Sequence, residues 1–298
     1  MQEDHKNIVK ASLLIALSGV LYGFLGYLGT SVLRENISIS NMLFWRFFIA
    51  GSWILLFVLI KYIKLGEVKV INMRTILMMF SLGAIGYAGS SGFYFIASEY
   101  TGTGLAMVMF FSYPIIVAVM SWGMHKQRLS MQTMMMLLVM MLGFFLLKDS
   151  AEQQIDLLGI VFGVIASFCY AIYVVGSKRV TSISMDSNVL TTIVCFGCAT
   201  VFLLLALASH SFVLPASLKG WGYLLAFGIL ATAVPIQLML EGLKYVSSMR
   251  ASIISVIEPL ITVFVGILLL DESISKIQVI GAMIILSSAL FVQLQKEI

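Results

Sequence analysis

Two charged side chains lie inside long apolar stretches of this sequence, where they could take part in binding or proton transfer. Glu258 lies about midway along the run 247–270, and Arg46 lies near the start of the run 41–60. A carboxyl group at the centre of a membrane is costly and is a functional hypothesis by default. We predict that Glu258 binds a cationic group or carries a proton, with structural hydrogen bonding as the alternative. Arg46 could bind a substrate carboxylate bidentately, pair with Glu258, or extend to the interface.

Tyrosines and one amide add polar groups to the same apolar stretches. The further candidates for substrate binding are Tyr22, Tyr94, Tyr113, Tyr170 and Gln237. A buried tyrosine hydroxyl needs a hydrogen-bond partner, which a wet cavity supplies. Packing between helices or an interfacial aromatic belt is the alternative for each of them.

Prolines inside the apolar stretches are candidate hinges. They are Pro114, Pro235 and Pro259. Proline lacks the backbone N–H, so it can open or kink a membrane helix. Pro259 directly follows Glu258, and Tyr113-Pro114 occupies the corresponding place in an earlier stretch.

Other motifs give little reason to expect an enzyme, a cofactor or a metal. Cys195 and Cys198 form a C-x-x-C, but without a nearby histidine we interpret them as packing residues. Gly89–Gly92 reads G-x-S-G, which makes an intramembrane serine protease a remote alternative. The histidines that could serve as a base lie at the tail or at predicted helix ends: His5, His125 and His210.

The elements that position these residues must be membrane helices. Of the 298 residues, 60% are hydrophobic and 11% are charged, whereas soluble domains carry about 25% charged residues. A soluble protein of this size could not bury so much apolar surface. The composition excludes a disordered chain, a secreted disulfide scaffold and an ordinary cytosolic enzyme. The net charge of +4 is spread over short loops, so it does not indicate nucleic-acid binding.

Apolar runs approaching the length of a membrane helix, about 20 residues, recur ten times along the chain. They lie near 11–33, 41–60, 75–97, 102–124, 130–147, 157–177, 189–209, 218–240, 247–270 and 277–294. A membrane β-barrel is excluded, because its strands would alternate over about ten residues. The predicted fold is an all-α polytopic protein with ten transmembrane helices in a lipid bilayer.

The basic residues predict the orientation of these helices. With the N-terminus inside, the inner loops and helix ends carry 13 Lys and Arg residues and the outer side carries 4. Such an excess marks the cytoplasmic side. We therefore predict that both termini are cytoplasmic, in an inner (plasma) membrane of bacterial type.

A weak internal repeat divides the chain into two halves. At an offset of 145 residues the identical pairs are Gly83/Gly228, Ala88/Ala233, Tyr100/Tyr245, Ala106/Ala251, Pro114/Pro259 and Ile116/Ile261. The third and fourth spans thereby fall on the eighth and ninth, so each half has five. Because five is odd, the second half is inverted, an architecture that many secondary transporters use. The predicted domains are 1–150 and 151–298, rocking about a central site.

Three motifs resemble the drug/metabolite transporter (DMT) superfamily, and most closely its EamA-type branch. They are Phe44-Trp45-Arg46-Phe47-Phe48, Val256-Ile257-Glu258-Pro259-Leu260 and Leu270-Asp271-Glu272. The first half departs from symmetry, with Lys126-Gln127 in place of Asp271-Glu272. The resemblance extends over essentially the whole chain. It implies an exporter or exchanger of small polar metabolites, amino acids among them, with its substrate cavity between the halves.

Together these features predict a secondary transporter, not an enzyme. Its expected cargo is an amino acid or a related amphoteric solute, moved by alternating access and exported. The alternative within the same superfamily is an uptake or exchange carrier for a nucleotide-like metabolite such as S-adenosylmethionine. Protons are the candidate coupling ion, no cofactor is expected, and a monomer and a homodimer are both open.

Overall fold

The chain folds into α-helices connected by short segments. The computed structural model describes residues 2–65, 72–125, 131–147, 156–181, 186–270 and 275–294. The helices are α1 (Gln2–Tyr22), α2 (Leu25–Leu33), α3 (Ile39–Leu65), α4 (Met73–Ser81), α5 (Ala88–Phe110), α6 (Tyr113–His125), α7 (Met131–Leu147), α8 (Leu157–Thr181), α9 (Ser187–Ala208), α10 (Leu218–Gly228), α11 (Val234–Gly242), α12 (Ser248–Ile254), α13 (Ile257–Leu270) and α14 (Lys276–Leu294). Two π-helical segments, Leu82–Tyr87 and Ile229–Ala233, join α4 to α5 and α10 to α11.

The all-helical prediction is confirmed, and the structure carries six clear membrane-length stretches among its described residues. They are Lys6–Leu33, Ile39–Lys64, Met73–Thr101, Leu157–Thr181, Ser187–Ala208 and Leu218–Gly242. Shorter apolar helices occupy Tyr113–Gly123 and Met134–Gly143. The count of ten spans remains a prediction, because the other predicted spans correspond to shorter helices.

Polar residues at the helix starts explain where several helices begin. Asp186, Ser217 and Ser247 each use a side-chain oxygen to accept a hydrogen bond from the first turn of α9, α10 and α12. Such caps satisfy backbone N–H groups that have no partner within the helix. The apolar residues that follow favour continuing the helix through a membrane, where every backbone group must be paired internally.

The boundary between the third and fourth predicted spans differs from expectation. Helix α5 continues through the predicted break to Phe110. Residues on both sides of the predicted break contact α8: Tyr100 lies against Gly159, and Met109 lies against Gly163, one turn further along α8.

The 145-residue repeat is visible in the positions of the helix interruptions. The π segment Leu82–Tyr87 corresponds by this offset to 227–232, and the second π segment is Ile229–Ala233. The turn at 111–112 corresponds to 256–257, and the second half turns at 255–256. The two halves have few identical residues, yet each contains a π segment and a turn at nearly equivalent positions of the repeat.

The two sequence halves interleave. Helix α1 of the first half packs against α11, α12 and α13 of the second half, and α8 of the second half packs against α5 and α6 of the first. We call α1–α3 with α10–α13 the first bundle, and α4–α6 with α8–α9 the second bundle. They meet chiefly where α3 packs against α9, and α7 pairs with α14.

Close packing on small residues fixes α1 beside α13. A Cβ atom at Gly19 would lie 2.5 Å from Ile257 Cγ2, and Gly23 is similarly close to Ile261. The four-residue spacing of Gly19 and Gly23 is typical of close contacts between membrane helices. Because Ile257 immediately precedes Glu258, this packing determines where the carboxyl group stands.

Candidate functional site

One cavity between the two bundles brings together most of the predicted site residues. It encloses about 580 Å³ of empty space, including its opening. Its lining consists of Tyr22, Leu25, Gly26, Arg46, Tyr87, Ser90, Ser91, Tyr94, Phe95, Met107, Phe110, Phe111, Tyr170, Glu258 and Thr262. Aromatic rings form much of the wall, and a few polar groups converge on it, as in typical small-molecule sites.

Arg46 is the cationic group of this cavity. The residue is only 1% exposed, and its guanidinium lies over the rings of Phe47 and Phe227, with Cζ 4.8 and 4.7 Å from their centroids. Its Nε donates a hydrogen bond of 2.7 Å to Thr232 Oγ1. Its buried Nη2 has no hydrogen-bond partner within the described chain. A donor of this kind is ready to bind an anionic group that enters the cavity.

Glu258 is the anionic group, in the first turn of α13. Its backbone N–H donates to the Ser255 carbonyl at 3.0 Å, and its carbonyl accepts from Thr262 Oγ1 at 3.1 Å. Among the described residues the ion pairs are Lys61–Asp186 and Lys244–Glu241, so Glu258 and Arg46 are not joined directly. The predicted alternative of a direct pair is not what the structure contains. Both residues belong to the lining of the same cavity.

Tyrosines form one side of the cavity. Tyr22 of α1 and Tyr87 of the first π segment share a hydrogen bond of 2.9 Å between their hydroxyl groups. Tyr170 of α8 packs near Tyr87, with ring centroids 5.9 Å apart. Tyr94 also lines the cavity, one helical turn beyond Ser90 and Ser91. The Tyr22–Tyr87 bond connects the first bundle to the second.

Tyr113 and Gln237 lie outside this lining. Tyr113 is fully buried beside Tyr170, with ring centroids 4.7 Å apart, and its hydroxyl donates to the Ser252 carbonyl at 3.3 Å. Gln237 donates from its amide to Asn188 Oδ1. Tyr113 therefore supports the cavity from behind, and Gln237 belongs to a different polar group.

The three prolines each lie near the start of a helix. Pro114 is the second residue of α6, Pro235 the second of α11 and Pro259 the third of α13. Pro114 and Pro259 follow turns, where proline is tolerated because the first-turn N–H has no intrahelical acceptor. Pro235 lies directly after the π segment, inside the continuous stretch Leu218–Gly242. Each follows a turn or a π segment, so the backbone already departs from α-helical geometry at the predicted hinges.

A cluster of polar side chains lies at the ends of α3 and α11 and at the start of α9, and we call this end of the protein the closed end. Lys61 Nζ at the end of α3 lies 2.5 Å from Asp186 Oδ2 at the start of α9. Ser187 donates to Glu241 at 2.5 Å, and Lys244 contacts the same carboxylate at 2.7 Å. Partial burial raises the pKa of Asp186, but the hydrogen bonds from Lys61 and the Asn188 N–H outweigh it and leave the pKa below its usual value. Asp186 is therefore ionised at neutral pH.

Sequence reasoning did not single out Thr232 or the rings of Phe95, Phe110 and Phe111. The repeat could have pointed to Thr232, because Thr232 lies 145 residues after Tyr87, which lines the cavity. The rings look like ordinary core residues in an apolar sequence, and only the fold distinguishes them. Ser91 of the G-x-S-G motif lines the cavity, but the described lining contains no histidine to act as a base.

Comparisons with known proteins agree with this architecture. The model of the EamA-like transporter family matches residues 9–148 and 157–294. An "Uncharacterized transporter" of Archaeoglobus fulgidus is 29% identical over 66% of this chain and 69% of its own length. The "Uncharacterized transporter YcbK" of Bacillus subtilis is 28% identical over 63% of this chain, which spans 62% of that protein, less than two thirds. One solved crystal structure has a TM-score of 0.81 at 17% identity, covering 95% of this chain and 98% of that one, and so shares the fold.

Proposed function

This chain belongs to the EamA-like transporter family, and we propose that it exports a small amphoteric solute, an amino acid or a related metabolite, by alternating access. It is a multi-pass protein of the inner membrane, and a transporter implies a small-molecule cargo. The observation that carries the finer proposal is a single cavity that holds both Arg46 and Glu258, with the guanidinium Nη2 unpartnered.

The two charges suit a solute with a carboxylate and an ammonium group. A buried charge is costly unless it is paired and hydrogen-bonded. A solute carboxylate would satisfy Arg46 Nη2, and a solute ammonium would pair with Glu258. The solute thereby supplies what each residue lacks among its described neighbours. An uncharged solute would leave both groups unpaired.

The position of the cavity indicates which way the transporter faces. Its lining includes Tyr22 at the end of α1, Arg46 near the start of α3, and Ser90, Ser91, Tyr94 and Phe95 in the later part of the stretch Met73–Thr101, while the Lys61–Asp186 pair lies at the other end. With the predicted orientation, the cavity belongs to the outer half of the membrane and the closed end to the cytoplasmic side. Exchange with the inward-open state then requires the polar cluster to separate.

A comparison of secreted metabolites tests the proposal. Cells expressing the intact protein, E258Q, R46K or no protein are grown at matched membrane levels, and their media are analysed by mass spectrometry. We expect an amphoteric solute that accumulates only with the intact protein. Equal accumulation with E258Q and R46K would refute the role of the two charges. No accumulation with any protein would refute export, and labelled amino-acid uptake would then test the direction.

Glu258 is also the proposed proton carrier. If its carboxyl group is protonated in one state and ionised in the other, a pH gradient across proteoliposomes drives accumulation of the exported solute. E258Q should then equilibrate the solute without accumulating it. Full accumulation by E258Q would refute proton coupling through this residue while leaving the transport proposal intact.

The aromatic wall favours a second candidate, a nucleotide-like metabolite such as S-adenosylmethionine taken up or exchanged. Seven of the fifteen lining residues are aromatic, and a nucleobase could stack on such rings. This solute also carries an amino-acid group, so it could use the same two charges. Mass spectrometry of the exported or exchanged solute distinguishes the two candidates.

A further inference from the structure

We propose that Thr232 is a positioning residue for Arg46, holding the guanidinium so that its Nη edge faces the solute. Thr232 is fully buried and does not line the cavity, so it acts through Arg46. The inference rests on the proposed function, because it assigns Thr232 a part in binding the solute carboxylate.

The hydroxyl of Thr232 makes two hydrogen bonds that fix its direction. It donates to the Phe227 carbonyl at 2.8 Å and accepts from Arg46 Nε at 2.7 Å. Phe227 precedes Thr232 by five residues, which is the spacing of the π segment Ile229–Ala233. With its proton committed to a backbone carbonyl, the hydroxyl oxygen can only accept from Arg46. The π segment thus provides an acceptor for the guanidinium.

This bond selects one orientation of the guanidinium. The planar group has its donors in a fixed fork, and Nε is occupied by Thr232. The rings of Phe47 and Phe227 also contact the guanidinium, with Cζ 4.8 and 4.7 Å from their centroids. What remains is the Nη edge, and Nη2 is the atom without a partner in the described chain. The geometry leaves that atom for a carboxylate.

The other half of the repeat supports a positioning role for the π segments. Tyr87 lies 145 residues before Thr232, at the end of the first π segment, and its hydroxyl bonds to Tyr22 of the cavity lining. Both segments therefore place a hydroxyl side chain against a cavity residue. Because a π segment in each half places a hydroxyl group against a cavity residue, a role in the cavity explains the two π segments better than local packing does.

Three variants separate the hydroxyl from its surroundings. T232V keeps the shape and removes the oxygen, and T232S restores the oxygen. T191V is the matched control, because Thr191 is equally buried and its hydroxyl bonds only within its own helix, to the Ser187 carbonyl at 2.8 Å. All are made in the full-length chain.

The hydrogen bond itself can be measured without a solute. Selective ¹⁵N-arginine labelling gives few Nε–H signals, because the sequence contains arginine only at 34, 46, 74, 128, 179 and 250. R46K assigns the signal of Arg46. We expect its Nε–H to exchange slowly with solvent in the wild type, T232S and T191V, and at least tenfold faster in T232V. An unchanged exchange rate in T232V would overturn the proposal.

The consequence for binding is measured with a matched pair of probes, L-phenylalanine and 2-phenylethylamine, which differ by the carboxylate. We expect T232V to weaken L-phenylalanine binding by about tenfold, the usual scale for losing a bond to a charged group, and to leave 2-phenylethylamine unchanged. T232S and T191V should bind both probes like the wild type. Equal weakening of both probes, or of neither, would overturn the positioning role.

The two measurements distinguish failure of this inference from failure of the proposed function. If L-phenylalanine binds and depends on Arg46 but not on Thr232, the proposed function stands and the positioning role is wrong. If neither probe binds the wild type while the Nε–H signal depends on Thr232, the amphoteric solute is wrong, and the role of Thr232 toward it falls as well.

Discussion

Replacing Gly197 with alanine should destabilise the protein through contact with backbone atoms. Helix α9 crosses the start of the first π segment at this glycine, and a Cβ atom there would lie 2.5 Å from the Phe80 carbonyl oxygen and 3.2 Å from the Ala84 nitrogen. Ordinary contact begins at 3.4 Å, so the elements must separate by about 0.9 Å (3.4 − 2.5). Because both neighbours are backbone atoms, no side-chain rotation can relieve the overlap.

The expected cost follows from the overlap and from helix propensity. Overpacking typically costs about 1–3 kcal/mol, and alanine regains roughly 0.5–1 kcal/mol over glycine in a helix. A net loss of about 1–2 kcal/mol in unfolding free energy is therefore expected for G197A. G222A is the matched control, since nothing lies within 4 Å of a Cβ at Gly222 in α10. It should be as stable as the wild type or more stable.

Thermal denaturation of the detergent-solubilised protein provides the assay, with the midpoint read from the loss of the monodisperse fraction. We expect the midpoint to be highest for G222A, intermediate for the wild type and lowest for G197A. If G197A and G222A have the same midpoint, α9 does not approach the π segment as closely as described. The packing that supports Tyr87 would then need another explanation.

Further predictions concern contacts between the bundles. Y22F should lower the unfolding free energy by about 1–3 kcal/mol, because it leaves the buried Tyr87 hydroxyl without its partner; adding Y87F should recover part of that loss. D186N should leave the pH profile of transport unchanged between pH 6 and 8, because the lowered pKa of Asp186 means that its contribution is lost only on acidification below about pH 4. G51C should form a disulfide with Cys195: a Cβ at Gly51 would lie 3.2 Å from Cys195 Cβ, and a small separation of α3 and α9 brings the pair to the roughly 3.5–4.5 Å that a disulfide requires. Oxidation should then stop transport until a reductant is added.

Controls for these variants separate each contact from its surroundings. A neutral effect of Y22F would contradict the hydroxyl bond, and a flattened profile in D186N would place a titrating group at the closed end. G51C with C195S should be insensitive to oxidation. Full transport by the cross-linked protein would contradict relative motion of α3 and α9, and with it the proposal that the two bundles move against each other during alternating access.

The helical fold was predictable from the sequence. A span inside a bilayer must pair its own backbone groups, which favours a helix, and its side chains face lipid, so each span is a long apolar run. The charge bias and the 145-residue repeat are also visible in the sequence alone, and the repeat approximately matches the two π segments. Interleaving of the halves was not predictable, because no pattern within a single helix specifies its partner. The expectation that 1–150 and 151–298 rock about a central site stays a prediction, to which the structure adds the packing of α1 on α11 and of α8 on α5.

Site residues were predictable from the sequence where a charged side chain lies in an apolar run, and not elsewhere. Arg46 and Glu258 stand out because charges are rare in apolar runs, and both line the cavity. Gln237 also stood out, yet its amide bonds to Asn188 near the closed end. A polar residue in a span must find some partner, and the sequence cannot say whether that partner is a solute or a neighbouring helix.

The distribution of the lining between the bundles has a consequence for the proposed cycle. Arg46 on α3 and Glu258 on α13 both belong to the first bundle, although they come from different halves of the sequence. Ser90, Tyr94 and Tyr170, which face them, belong to the second bundle. If the bundles rock as proposed, the two charges keep their mutual spacing while the aromatic wall moves past them. A solute that pairs with both Arg46 and Glu258 then stays paired through the proposed crossing, so neither charge has to lose its partner at the step that would cost most.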